Sequence, residues 1–315
     1  MIRLYQKGKD YVAKTTTLEQ VEDLKNLIWV DLQNATIDEI EEVEKLFTIN
    51  IPSRLQQVEI ESSSRYVETE DYIIANSSFL QIDDENNFHN VHVSFLIKNE
   101  VLITFREGHV LSFAECVKKI KSNHKAFTCG KLILLVLFET RVDADADLIE
   151  TLSHQISVIG KQLTAENGTH AQLLKEITTH QETTMQLREN IIDKQRVISS
   201  MLKSSEFNED EKERLRIIFK DINSLIDHTN FLFERLEYLQ NTFLGLVNID
   251  QNKIIKIFTV VSVVFMPPTL IASLYGMNFK ILPELSWKFG YPFAIFLMLG
   301  SSLLTLLIFK KKKWL

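Results

Sequence analysis

Cysteine, proline and glycine are scarce in this chain, at two, five and nine of 315 residues. Two cysteines, Cys116 and Cys129, cannot staple a disulfide scaffold or complete a four-cysteine zinc site. So little glycine and proline excludes a collagen-like or linker-rich chain. A positive charge excess is missing as well. The formal net charge is -7, which argues against a general nucleic-acid binder. No GxxxxGK[ST] phosphate loop occurs, so nothing points to ATP. Neither a nucleophile–base set nor a metal-ligand motif emerges, and no enzyme is expected. Residues 1–17 lack the apolar core of a signal peptide.

What is present is unevenly distributed. Residues 253–315 hold eight lysines and one acid, Glu284, for a charge of +7. Residues 1–252 hold 27 bases and 41 acids, for -14. The basic tail contains two uncharged apolar runs, 257–279 and 291–309. Each is long enough to cross a hydrocarbon core of about 30 Å, which takes roughly 20 helical residues. A pair of buried core helices is the competing explanation. Against it, the runs are adjacent and close to one end of the sequence. Lys310–Lys313 follows the second run, so the positive-inside rule puts that end in the cytoplasm. Two crossings then place residues 1–252 and both termini on the cytoplasmic side. Lys253, Lys256 and the terminal lysines anchor the inner headgroup layer, and a basic ring at a pore mouth is compatible with the same positions.

The opening third reads as α/β. Strand-like runs at 28–32, 72–80, 91–97 and 101–105 alternate with an acidic helix at 38–47, and Lys98–Glu100 suits a hairpin turn. Helices close this region near residue 125. From 132 onward the apolar spacing is three and four. A first helix continues through Leu163, a turn falls at Gly168, and a second runs over 171–202. A third starts within 209–216 and carries Ile218, Ile222, Leu225, Phe231, Leu232, Leu236, Leu239, Phe243 and Leu246. No proline interrupts it before Pro267, so this stalk can continue into the first crossing. A helix of more than 50 residues, roughly 75 Å long, needs partners, and an oligomer is expected. The domains expected are 1–130 (α/β), 131–252 (helical, with the stalk) and 253–315 (membrane). Within the last, the crossings fall at about 254–275 and 291–309, with an outer loop at 276–290 and a basic tail at 310–315.

The first crossing has a face able to line a lumen. Asn252, Ile255, Thr259, Ser262, Met266, Thr269 and Ser273 recur at three and four. Packing between helices by small residues explains the same spacing. Beyond them comes Tyr275-Gly276-Met277-Asn278, where glycine permits a close turn and the Asn278 amide and backbone carbonyls offer neutral oxygens. Neither crossing contains a carboxylate, cysteine or histidine. That disfavours a stripped soft metal and suits Mg²⁺, which keeps its waters. Elsewhere, 38–44 (DEIEEVE) reads as a solvated helix face or a cation attractor. Asp143, Asp145 and Asp147 read as helix surface. His154, His170 and His180 have no convincing ligand partners.

Tyr275-Gly276-Met277-Asn278 resembles the YGMN signature of the CorA magnesium transporter family, the GMN-motif metal ion transporters. The resemblance extends through Asn248-Ile249-Asp250-Gln251-Asn252, Pro267-Pro268-Thr269, Leu282-Pro283-Glu284-Leu285 and the ending at 309–315. Glu139-Thr140 and 60–65 (IESSSR) are similar to the family's soluble part. It implies a funnel-shaped homopentamer in a bacterial inner membrane, with the first crossing around a central pore and the second outside it. Gly276, Met277 and Asn278 would select hydrated Mg²⁺ at the entrance. Asn252, Met266 and Thr269 would line the pore, with Ile255 and Phe258 at a hydrophobic gate. Co²⁺ and Ni²⁺ are implied alternative substrates, moved by the electrochemical gradient. A regulatory Mg²⁺ between subunits would fall on Glu59 and Asp221. Leu282 replaces the usual methionine of the outer loop. A zinc transporter of the same superfamily and a non-transporting membrane sensor or scaffold are the alternatives.

Overall fold

The computed structural model describes residues 1–7, 12–15, 26–58, 65–83, 88–164, 170–278 and 287–312. Among the described residues seven strands form one sheet: β1 (Ile2–Lys7), β2 (Val12–Thr15), β3 (Leu27–Gln33), β4 (Tyr66–Glu68), β5 (Ile73–Ile82), β6 (Phe88–Lys98) and β7 (Val101–Arg106). Their order is β2-β1-β3-β7-β6-β5-β4. Only β3 and β7 pair in parallel; every other neighbouring pair is antiparallel. The expected strands are all found. Strands β1, β2 and β4 are additions, the last two only four and three residues long.

Alternation along the strands builds two different faces. Ile2, Leu4, Val30, Leu32, Ile103 and Phe105 join Val43 of α1 (Ile37–Phe47) in one apolar core. Helix α1 starts on a capping box, in which Thr36 accepts from the Glu39 amide and Glu39 accepts from the Thr36 amide. That supplies partners for amides the first helical turn leaves orphaned.

The intervening residues Arg3, Tyr5, Trp29, Asp31, Thr104 and Arg106 face the other way, and this side is wired. Arg106 donates to both carboxylate oxygens of Asp31, at 3.0 and 2.8 Å. Thr104 Oγ1 donates to Asp31 Oδ1 at 3.0 Å, and Trp29 Nε1 donates to Thr104 at 3.0 Å. The Arg106 guanidinium lies 4.2 Å from the ring centroid of Phe113, on α3 (Leu111–Ser122). Burial, followed by the neighbouring Asp31 charge, pushes the Tyr5 hydroxyl up to about 12. A buried ion pair is tolerable only when its remaining polar atoms are met, and here they are.

Three long helices complete this side: α4 (Gly130–Thr164), α5 (His170–Lys203) and α6 (Glu209–Tyr275), with short α2 (Arg54–Val58) elsewhere in the sheet region. Ile133–Phe138 is buried on every side, because that turn of α4 lies between sheet and helices. Asp145, expected on a surface, is buried instead. It accepts a very short hydrogen bond from Arg141 and lies 3.1 Å from the Lys194 ammonium of α5. Burial, partly offset by Asp145, holds Lys194 below its ordinary range. The alternation of three acids did not reveal that one of them had two bases in reach. Asp143 and Asp147 remain exposed.

Helices α5 and α6 are joined by a ladder of side-chain hydrogen bonds. Gln181 donates to Gln240 at 3.2 Å, Arg188 to Asn230 at 2.9 Å and Gln195 to Asn223 at 2.6 Å. Arg214 of α6 is bidentate on Glu139 of α4. The helices therefore pack into one unit with the sheet, Met1–Gln240, and a second unit comprises Asn241–Leu315. Within the first unit the last strand ends at Arg106 and helices follow from Leu111. Helix α6 is continuous through 67 residues, as expected of a stalk that becomes a crossing.

Gly130 is sterically required. Asn99 and Glu100 turn the β6–β7 hairpin with φ of 50° and 68°, and the Gly130 amide donates to the Glu100 carbonyl at 2.6 Å. A Cβ at Gly130 would lie 2.2 Å from the Leu102 backbone nitrogen. Gly130→Ala should cost about 2–3 kcal/mol, read as a lower unfolding midpoint of the full chain in micelles.

His92 Nδ1 lies 2.9 Å from Ser78 Oγ. Burial, and then the nearby Arg65 charge, lower its pKa from 6.5. The unfolded chain therefore binds the proton first. The stability this histidine contributes is present above pH 6.5 and lost as pH falls through the folded value. His92→Asn should flatten the loss of thermal stability between pH 7 and pH 5.5; an unchanged slope would count against this assignment.

Candidate ion path

The second unit contains two helices with membrane-crossing character, the outer part of α6 and α7 (Gly290–Lys311), with mean hydropathy of 2.0 and 2.2 in their most apolar stretches. Almost none of either stretch is buried. In water such a surface would be a severe liability; in a bilayer lipid covers it. Trp287 packs against Phe289 and Phe293, with ring centroids 6.2 and 5.7 Å away, and Tyr291 is exposed beside them. Such aromatic groups mark a membrane–water boundary. Lys253 and Lys256 on α6 and Lys310 and Lys311 at the end of α7 supply charge at the opposite boundary.

Coverage of α6 within this unit is one-sided. Val260, Val263, Val264, Pro267, Pro268, Ile271 and Tyr275 are partly covered. Asn252, Ile255, Thr259, Ser262, Met266, Thr269 and Ser273 are all exposed. At 3.6 residues per turn the centres of the two groups are about 150° apart. Phe258, at 69% exposure, borders the uncovered group. Thr259 Oγ1 donates to the Ile255 carbonyl and Thr269 Oγ1 to the Phe265 carbonyl, both at 2.8 Å. With their protons engaged on the helix, both hydroxyls present oxygen lone pairs outward. Those suit the hydrogens of a cation's water shell.

The helix ends where glycine was expected to end it. The Gly276 amide donates to the Ala272 carbonyl at 2.9 Å and the Met277 amide to Leu274 at 3.4 Å. Gly276, Met277 and Asn278 are exposed. The following outer-loop residues 279–286, including Leu282-Pro283-Glu284-Leu285, lie outside the described residues, as do Glu59, 60–64, Gly168 and 313–315. Asp221 is exposed on α6. Among the described residues no three His, Cys, Asp or Glu side chains gather to hold a metal. Burial pushes the Cys116 thiol up to about 12, which makes it unreactive.

One pattern escaped the sequence reading. Phe231, one of the apolar positions of the stalk, is 58% exposed. It belongs with Ile217, Ser224, Tyr238 and Gly245, all exposed and seven residues apart. Continuing the same interval gives Asn252, Thr259, Met266 and Ser273. A seven-residue interval was available in the sequence, but Ser224, Gly245 and Asn252 interrupt it as an apolar signal.

The sequence profile of the family described as CorA-like Mg2+ transporter protein matches residues 25–311. The chain is 36% identical over 321 residues to the magnesium transport protein CorA of Wolinella succinogenes, covering 100% of both chains. It is 33% identical over 320 residues to that of Helicobacter pylori, again covering 100% of both. Among solved structures, the complete CorA magnesium transporter from Methanocaldococcus jannaschii superposes with a TM-score of 0.85 at 21% identity, over 100% of this chain and 99% of that one. The sheet with its long helices and paired apolar helices is thus the CorA fold, and the chain belongs to the CorA-like Mg²⁺ transporter family.

Proposed function

We propose that this protein is one subunit of a homo-oligomeric channel that admits hydrated Mg²⁺ to the bacterial cytoplasm. The observation that carries this reading is the bare polar face of α6 leading to Gly276-Met277-Asn278. Two helices cannot enclose a path alone, whereas closed symmetry supplies the same face from every copy. The exposed seven-residue line from Ile217 to Ser273 supports a supercoiled contact or lumen along one axis. A pentamer is the stoichiometry the family suggests. The chain lies in the inner membrane with both termini in the cytoplasm.

In this reading Gly276, Met277 and Asn278 receive the hydrated ion, and Asn252, Thr259, Ser262, Thr269 and Ser273 exchange hydrogen bonds with its waters. Ile255, Phe258 and Met266 form constrictions that close by dewetting. Neutral oxygens recognise the ion without trapping it. Co²⁺ and Ni²⁺ use the same path. The driving force needs no ATP: for a divalent ion an inside-negative potential supplies about 4.6 kcal/mol per 100 mV. At about 1.4 kcal/mol per tenfold, that sustains accumulation of more than a thousandfold.

The -14 charge of residues 1–252 supports regulation by the same ion. Carboxylates brought together between subunits repel when bare, and bound Mg²⁺ joins them. Glu59 and Asp221 are the assigned ligands. As cytoplasmic Mg²⁺ falls the sites empty, the subunits loosen and the pore opens.

Two measurements test these assignments. Liposomes containing the purified protein should take up Mg²⁺ under an inside-negative potential, and Asn278→Ala should reduce the uptake at least tenfold. Wild-type uptake equal to that of protein-free liposomes overturns the transport reading, and uptake confined to Zn²⁺ replaces the substrate. Separately, Mg²⁺ should slow proteolysis of the wild-type protein in micelles several-fold, and Asp221→Asn should weaken that protection. Cleavage indifferent to Mg²⁺ removes the regulatory assignment and leaves transport standing.

A further inference from the structure

Proline has no amide hydrogen, so each proline inside a helix leaves the carbonyl four residues earlier without its ladder partner. Pro267 and Pro268 both lie within α6, which frees the carbonyls of Val263 and Val264. In hydrocarbon no water can pair them, and an unpaired carbonyl is strongly unfavourable. A hydroxyl on the neighbouring helix meets one of the two. Ser302 Oγ of α7 donates to the Val264 carbonyl at 3.3 Å.

The neighbouring hydroxyls of α7 behave differently. Ser301 donates to the Met298 carbonyl at 2.9 Å and Thr305 to the Ser301 carbonyl at 2.8 Å, both within their own helix. That is the usual arrangement for serine and threonine in a helix. Thr259 and Thr269 of α6 follow it too. Ser302 crosses to the other helix, and the acceptor it reaches is the carbonyl released by Pro268. The contact is longer than the 2.7–2.8 Å typical of O–H···O bonds, but an acceptor that has lost its helical donor gains most from any donor in reach.

We propose that Ser302 is a positioning residue for the ion path, acting through the Val264 carbonyl. A proline pair interrupts the hydrogen-bond ladder of α6 between its inner part, with Asn252, Ile255 and Thr259, and its outer part, with Thr269, Ser273 and Gly276-Met277-Asn278. The Ser302 bond ties α6 to α7 at that interruption, on the covered side of α6. It keeps the uncovered face of both parts in one register without placing any group in the path. This assignment rests on the transport reading for its consequence, and on the helix pair alone for its geometry.

The test compares Ser302→Thr with Ser302→Val, side chains of the same shape that differ in the hydroxyl, and adds Pro268→Ala alone and with Ser302→Ala. Pro268→Ala restores an amide donor to Val264. In liposomes Ser302→Val should lower maximal Mg²⁺ uptake at least threefold with little change in the half-saturating concentration, while Ser302→Thr stays within twofold of wild type. Ser302→Ala should lower uptake in the wild-type background and have almost no effect beside Pro268→Ala. The unfolding midpoint in micelles should show the same coupling. Equal uptake by the Thr and Val variants, or a Ser302→Ala effect of the same size in both backgrounds, overturns the assignment. If the wild-type protein carries no Mg²⁺, the transport reading fails instead, and the melting comparison decides the role of Ser302 by itself.

Discussion

Helix α6 has one packed side and one exposed side. Through Ile218, Ile222, Leu225, Leu232, Leu236 and Leu239 it buries an apolar stripe in the first unit. Through Val260, Val264, Pro267 and Ile271 it is partly covered in the second. The remaining line, seven residues apart from Ile217 to Ser273, is exposed. A helix that long is stabilised by tertiary packing more than by propensity. An uncovered line containing Phe231 and Tyr238 in water and Asn252 and Thr259 near lipid therefore calls for copies of itself.

The first unit holds its part of α6 by polar means as well as apolar ones. The ladder from Gln181, Arg188 and Gln195 to Gln240, Asn230 and Asn223 fixes rotation as well as distance, since each bond is directional. Beneath it, Asp145 with Arg141 and Lys194 and Asp31 with Arg106 hold charged groups in a nearly dry layer. Such groups contribute little net stability over apolar replacements, but removing one partner is severe, about 3–5 kcal/mol. Their value here is orientation. The sheet and three long helices then behave as a single packed unit.

In the membrane the balance reverses. Apolar contact distinguishes poorly between helix and lipid, so the few polar contacts and the shapes of small residues decide how helices meet. The Pro267–Pro268 pair places an opening in the backbone ladder of α6, at the middle of the proposed ion path, and a hydroxyl from α7 meets it. Thr259 and Thr269, two polar residues of the exposed face, close their protons onto their own helix. Their outward chemistry is that of acceptors, suited to water held by a cation.

Much of this was legible in the sequence because it depends on local or one-dimensional quantities. Charge separation, uninterrupted apolar length, the three-and-four spacing of the stalk and the turn at Lys98–Glu100 are read without knowing what lies nearby. The face from Asn252 to Ser273 and its end at Gly276-Met277-Asn278 were visible for the same reason. Other features depend on residues distant in sequence. Asp145 looked like surface until α5 brought Lys194 beside it. Phe231 and Leu232 are both apolar, and only packing decides that Leu232 takes the buried side. Strands β2 and β4 are too short for alternation to register and exist through their partners. Gly130 matters because the β6–β7 turn passes against it, and Ser302 matters because Pro268 lies across from it. The sequence by itself determined which segments enter lipid and which face of α6 is polar, since composition and period suffice for both. Tertiary structure decided which carbonyl, carboxylate and ring each side chain meets, because those encounters are set by packing in three dimensions.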